Sequence, residues 1–187
     1  MGALRSVVNC TRATAALGVG AALLTASCAG SDPGGSGRTA PAALGTAAPT
    51  VPAAARAATP EGAAAFARYF FEVYDHAFRT SDTTALRSVC TPDCTFCRLV
   101  TTIVDSAREK GTHVEGGRTI VTAADVRPGS TTGWTLLTVH YDTEASRTLT
   151  RSGAVETQAP ANPGQRLNVA VSWTGDHWAL ATTGPAA

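Results

Sequence analysis

The hydrophobic period of this chain changes once, and the change falls at Gly111. Before Gly111 apolar residues recur at helical spacing; after it they alternate with polar ones. That order predicts α+β, with N-terminal helices packed on one face of an antiparallel sheet, because strands that follow one another without intervening helices pair as a meander.

Three helical signals precede the change. Thr59-Pro60-Glu61 supplies an N-cap, a proline at the first helical position and an acid in the first turn. Phe66, Phe70, Val73 and Ala77 then repeat at helical spacing, and Tyr69, Tyr74 and Phe78 widen the stripe. Ser81-Asp82 opens a short segment with Leu86 and Val89. Thr91-Pro92-Asp93 repeats the start signal ahead of Phe96, Val100, Ile103 and Ala107, with Gly111 as C-cap. Strands are expected at Arg118–Val126, Gly133–Thr143, Thr148–Gln158, Arg166–Trp173 and His177–Thr182. The clearest alternation sets Leu167, Val169, Val171 and Trp173 on one face, with a closing hairpin at Gly175-Asp176.

Residues 1–27 read as a targeting segment. Arg5 and Arg12 precede an uncharged apolar run from Ala13 to Leu24, and small residues lead to Cys28. A basic start, a short apolar run and a small-residue exit match a secretory signal peptide. The run is shorter than the ~20 residues that cross a bilayer. Leu24-Thr25-Ala26-Ser27-Cys28 resembles the lipobox of bacterial lipoproteins, although Leu24 stands one position further from the cysteine than the usual leucine. The resemblance implies a lipidated Cys28 and an extracytoplasmic protein anchored in the cell membrane, with several acyl chains giving stable attachment.

Residues 28–59 then read as a tether. Of the 31 residues from Ala29 to Thr59, 26 are Ala, Gly, Pro, Ser or Thr and none is aromatic. Such a segment buries too little apolar area to offset its ordering entropy. Residues 60–187 are expected to form one domain. They carry 11 basic and 13 acidic groups and are slightly acidic; the chain's formal charge of +1 and 16% charged residues argue against a nucleic-acid surface, which needs a clear excess of Lys and Arg.

Cys94-x-x-Cys97, with Cys90 four residues upstream, is the sharpest local motif. A thioredoxin-like site needs a βαβ context that is missing here, and zinc needs a fourth ligand that the scattered histidines do not supply. In an oxidising compartment the expected outcome is a Cys94–Cys97 disulfide, with Cys90 left free or competing for a partner. Candidates for acid–base chemistry are Tyr69, Tyr74, Asp75, His76, His140, Tyr141 and Asp142. On one strand His140 and Asp142 share a face, opposite Tyr141. If the His140 face were the inner one, His140, Asp142 and Tyr69 would be the catalytic set; otherwise that face is a polar solvent face. Gly116-Gly117 reads as a turn, since no phosphate-loop pattern surrounds it.

Helix, short helix, helix and then sheet is the order of the cone-shaped nuclear-transport-factor-like, or cystatin-like, fold. Pro60-Glu61-Gly62-Ala63, Pro92-Asp93-Cys94-Thr95-Phe96-Cys97, Glu115-Gly116-Gly117 and Trp178 resemble a family of uncharacterised actinobacterial lipoproteins. That resemblance implies location and a curved sheet but no activity. The expectation is a non-catalytic binding or accessory module of the cell envelope, without cofactor or metal, meeting an apolar small ligand or an envelope protein. The alternative is an isomerase, dehydratase or hydrolase with an acid–base pair in the cone.

Overall fold

The structure, a computed structural model, describes residues 47–129 and 134–186. The expected signal peptide, Cys28 and the part of the expected tether up to residue 46 lie outside the described residues. Among the described residues three α-helices precede the strands: α1 (Pro60–Thr80), α2 (Thr84–Ser88) and α3 (Thr95–Lys110). Thr59 caps α1 by accepting the Gly62 amide at 3.1 Å, and Ser81 ends it in the left-handed conformation at φ 56°. Cys94 takes the cap position of α3, so that helix begins past the Thr91-Pro92 signal. The reason is local: the Cys94 amide closes a turn onto the Thr91 carbonyl. Gly111 closes α3 at φ 71°, a conformation glycine adopts without a Cβ penalty.

Among the described residues seven strands follow: β1 (His113–Gly116), β2 (Thr119–Val126), β3 (Trp134–Thr143), β4 (Ser146–Leu149), β5 (Val155–Ala159), β6 (Asn162–Trp173) and β7 (Trp178–Pro185). They form two antiparallel sheets, ordered β2-β3-β6-β7 and β1-β4-β5, and neither closes on itself. β6 and β7 run longer than expected, because Asn162 pairs with Thr143 and Pro185 with Leu167, and two further points differ from expectation. β1 lies before the turn at Gly116-Gly117, and the Thr148–Gln158 segment is split between β4 and β5 by the turn at Ser152-Gly153.

One core joins α1–α3 to the four-stranded sheet. Val73, Leu86, Val104, Leu137, Val139, Val171 and Leu180 are fully enclosed in it. Val169 and Val171 point inward as the alternation predicts, with Leu167 and Trp173 packed beside them. Each such residue contributes roughly 1.5–3 kcal/mol by leaving water. The backbone between α2 and α3 is tied to β7: Leu180 donates to Val89 at 2.8 Å and accepts from Thr91 at 2.9 Å.

The packed region extends further toward the N-terminus than the reading that ended the tether at Thr59. Ala53–Arg56 form one 3₁₀ turn, and Ala55 is buried against α1. The Trp178 indole donates to the Ala57 carbonyl at 2.8 Å, and the Tyr69 hydroxyl to the Pro49 carbonyl at 3.3 Å. A segment without a hydrophobic period is held here by its backbone carbonyls, which composition does not reveal. Among the described residues no helix is long and apolar enough to cross a membrane.

Candidate functional site

On α1, Phe71, Tyr74, Asp75 and Phe78 stand at i, i+3, i+4 and i+7, and so share one stripe along the helix. That stripe faces a cavity of about 450 Å³. Phe96 of α3, Tyr141 of β3 and Leu167 of β6 complete its apolar wall, while the β1–β4 pair and the Gly116-Gly117 turn form its rim. Gly116 and Gly117 are both at positive φ, and a Cβ on Gly116 would lie 2.3 Å from the Ala145 carbonyl oxygen. The turn therefore needs glycine to bring β1 beside β4.

The wall is a continuous set of ring contacts. Tyr74 stacks on Phe96 at 6.3 Å and meets Phe78 at 4.9 Å, while Phe71 stacks on Tyr141 at 5.6 Å. Such pairs add about 0.5–1.5 kcal/mol each beyond burial. Tyr141 adjoins a register shift between Tyr141 and Thr143 in the β3–β6 pairing. A second shift, between Val121 and Ala123, interrupts the facing strand β2. Bulges of this kind bend a sheet and re-aim its side chains.

Polar groups converge at one end. Asp75 accepts the Thr119 amide at 2.8 Å and the Thr119 hydroxyl at 2.9 Å. Burial pushes its carboxyl up to about 6, against the lowering effect of the Thr119 hydrogen bonds and of Arg79 and Arg118. Burial, with the charge of Asp75 and then Tyr141, pushes the Tyr74 hydroxyl up to about 12. The Nε of Arg79 is buried without a hydrogen-bond partner. Asp75, Arg79, Arg118 and Thr119 also line a neighbouring cavity of about 430 Å³ that opens past Arg68 and Glu72. These four polar residues therefore line both cavities. A more open depression of about 750 Å³ over β1, β4 and β5 contains the Glu115–Arg147 ion pair and no aromatic side chain.

The other sequence candidates lie elsewhere. The inner face of β3 is the one carrying Leu137, Val139 and Tyr141, so His140 is on the opposite face, where its Nε2 lies 3.4 Å from the Asp125 carboxylate. Asp142 accepts the Gly164 amide at 2.7 Å at the register shift in the β3–β6 pairing. Tyr69 is spent on Pro49, and burial followed by the charge of Glu72 raises its hydroxyl. His76 is buried with its Nδ1 unpartnered; burial and then Arg79 lower its pKa. Thus Tyr74, Asp75 and Tyr141 are brought together, whereas Tyr69, His140 and Asp142 are not. Arg79 and Arg118 were the missed members, whereas Phe96 belongs to the helical stripe already read from the sequence. The i, i+4 relation of Asp75 to Arg79 was the available signal for the first.

At the start of α3, Cys97 Sγ contacts the sulfurs of both Cys90 and Cys94, with Cα separations of 6.3 and 5.3 Å. The structure thus places Cys90 in the same contact as the expected Cys94–Cys97 pair.

A family model described as "Family of unknown function (DUF6318)" matches residues 38–184. Among solved structures, the crystal structure of the intermembrane space region of the chloroplast protein ARC6 is similar to this chain at 13% identity and a TM-score of 0.46, over 62% of this chain and 86% of that one. No curated protein matches.

Proposed function

We propose that this chain, which belongs to that family of unknown function, is a binding module on the outer face of the cell membrane that takes a small apolar molecule with an acidic head. One observation carries the reading: a stacked aromatic wall and the Arg79 side chain line one half-open cavity. Aromatic walls hold apolar bodies by area and dispersion. A guanidinium lining such a cavity suits a ligand carboxylate or sulfonate, which it meets with charge-assisted hydrogen bonds. On this reading α1–α3 and the β2-β3-β6-β7 sheet are the wall of a nuclear-transport-factor-like cone, with the smaller sheet at its mouth. Lipid on Cys28 would anchor the module, and residues 28–46 would set its distance from the bilayer.

Fluorescence titration with anilinonaphthalene sulfonate, an aromatic anion, tests the reading. The expected result is one saturable site, with Arg79→Gln and Phe78→Ala each weakening it about tenfold. Unchanged affinity in both variants would overturn it.

Asp75 favours a second reading. A carboxyl held up to about 6 in a cavity with two tyrosines suits proton transfer in an isomerase, dehydratase or hydrolase. Asp75→Asn separates the two readings. It abolishes turnover in an enzyme but leaves sulfonate binding intact or tighter in a binding module, because a neighbouring negative charge is removed.

A further inference from the structure

A sulfur atom forms one disulfide at a time. Cys97 Sγ touches both Cys90 and Cys94, and the three sulfurs lie within 4.8 Å of one another. The two bridges are therefore alternatives, and either one leaves a third thiol in contact. The three cysteines differ in access: Cys94 and Cys97 are 0% and 5% exposed, whereas Cys90 is half-buried. A groove of about 410 Å³ opens over them between Arg87 and Arg98, with Asp105 beside Arg87.

We infer that Cys90, Cys94 and Cys97 form a thiol–disulfide exchange site in which Cys90 is the sulfur reached by small acidic thiols from solution. This inference is independent of the aromatic cavity. Starting from the Cys94–Cys97 bridge, the Cys90 thiolate attacks Cys97 Sγ. The Cys90–Cys97 bond forms, the Cys94–Cys97 bond breaks, and the electron pair leaves on Cys94. That sulfur sits at the helix cap, where it accepts the Cys97 amide at 3.1 Å, an arrangement that favours the thiolate. No oxidant or reductant is consumed. From the Cys90–Cys97 bridge, an external thiolate attacks Cys90 Sγ and forms a mixed disulfide there. The electron pair leaves on Cys97 in the first turn of α3, where the helix N-terminus stabilises negative charge and a better leaving group departs faster. Arg87 and Arg98 flank the approach and suit a thiol bearing carboxylates, although Arg87 is partly neutralised by Asp105 at 2.8 Å. Nothing in this geometry needs the βαβ context of thioredoxin, because the exchange partner is a third cysteine of the same cluster.

The test incubates the full chain, purified without reductant, with reduced glutathione. The reaction is quenched in acid, digested with pepsin and mapped by mass spectrometry over the peptides holding Cys90, Cys94 and Cys97. The expected result is a single glutathione among these three positions, on Cys90. Cys94→Ser, which keeps a good capping residue, locks the Cys90–Cys97 bridge and retains the adduct. Cys90→Ser seals the buried Cys94–Cys97 bridge and lowers the adduct at least tenfold. An adduct spread evenly over the three cysteines, one undiminished in Cys90→Ser, or three free thiols in the untreated chain would each overturn the inference. A Cys90→Ser chain that unfolded would gain adducts rather than lose them, so misfolding cannot imitate the expected result.

Discussion

Gly62→Ala should destabilise this protein, although helix propensity alone points the other way. Gly62 lies in the first turn of α1, where replacing glycine by alanine ordinarily gains up to about 1 kcal/mol. Here a Cβ would lie 2.0 Å from the Ala57 carbonyl oxygen and 3.2 Å from the Trp178 indole nitrogen. The first contact is with backbone and cannot be relieved by a side-chain rotation. The segment through Ala57 must therefore lift away, and the Trp178–Ala57 hydrogen bond at 2.8 Å goes with it. Overpacking costs about 1–3 kcal/mol and the lost hydrogen bond about 1. After subtracting the propensity gain, the net loss is about 2 kcal/mol, or roughly 4–8 °C in Tm for a chain of this size. Thermal and urea unfolding followed by tryptophan fluorescence would measure it, with Trp178 itself reporting the docked segment. The control is the same substitution in a chain beginning at Ala58, which lacks the clashing carbonyl. There Gly62→Ala should be neutral or slightly stabilising, against a truncated parent that has already lost stability. A Gly62→Ala protein as stable as wild type in the intact chain would refute the reasoning, and with it the docking of residues 49–57.

The Asp75 carboxyl is raised to about 6 in the fold from an ordinary value near 3.8, so the folded state holds its proton more tightly than the unfolded one. Its contribution to stability is fully present below about pH 3.8 and lost as pH rises through about 6; Asp75→Asn should flatten that part of the pH profile, as followed by urea midpoints from pH 4 to 7. Leu180→Ala should cost about 2–5 kcal/mol in urea unfolding, because Leu180 is fully enclosed where β7 meets the α2–α3 connection. Cys28→Ala should move the protein from the detergent phase to the aqueous phase in cell fractionation; retention with the detergent would refute lipidation at that residue.

Much of the architecture was legible in the linear order of residues. The change of period at Gly111 determined that helices precede strands, since a 3.6-residue stripe and a two-residue alternation bury different surfaces. Thr59-Pro60-Glu61 placed the start of α1 where it is, and Leu167 to Trp173 marked the inner face of β6, because capping and alternation depend only on near neighbours. The sequence also carried the members of the aromatic stripe on α1. What it left undecided was a set of long-range choices. Alternation on β3 marks two faces and does not say which turns inward; packing on α1 chose Tyr141, and so left His140 outside the cavity. The Ala-rich segment before α1 has no periodicity to announce burial. It is docked by the Trp178 side chain, 121 residues further along than the carbonyl it meets. Likewise the angle that brings Cys90 to Cys97 is set where Val89 and Thr91 pair with Leu180 of β7. In each case the deciding contact joins residues far apart in sequence, where local propensity and spacing exert no force.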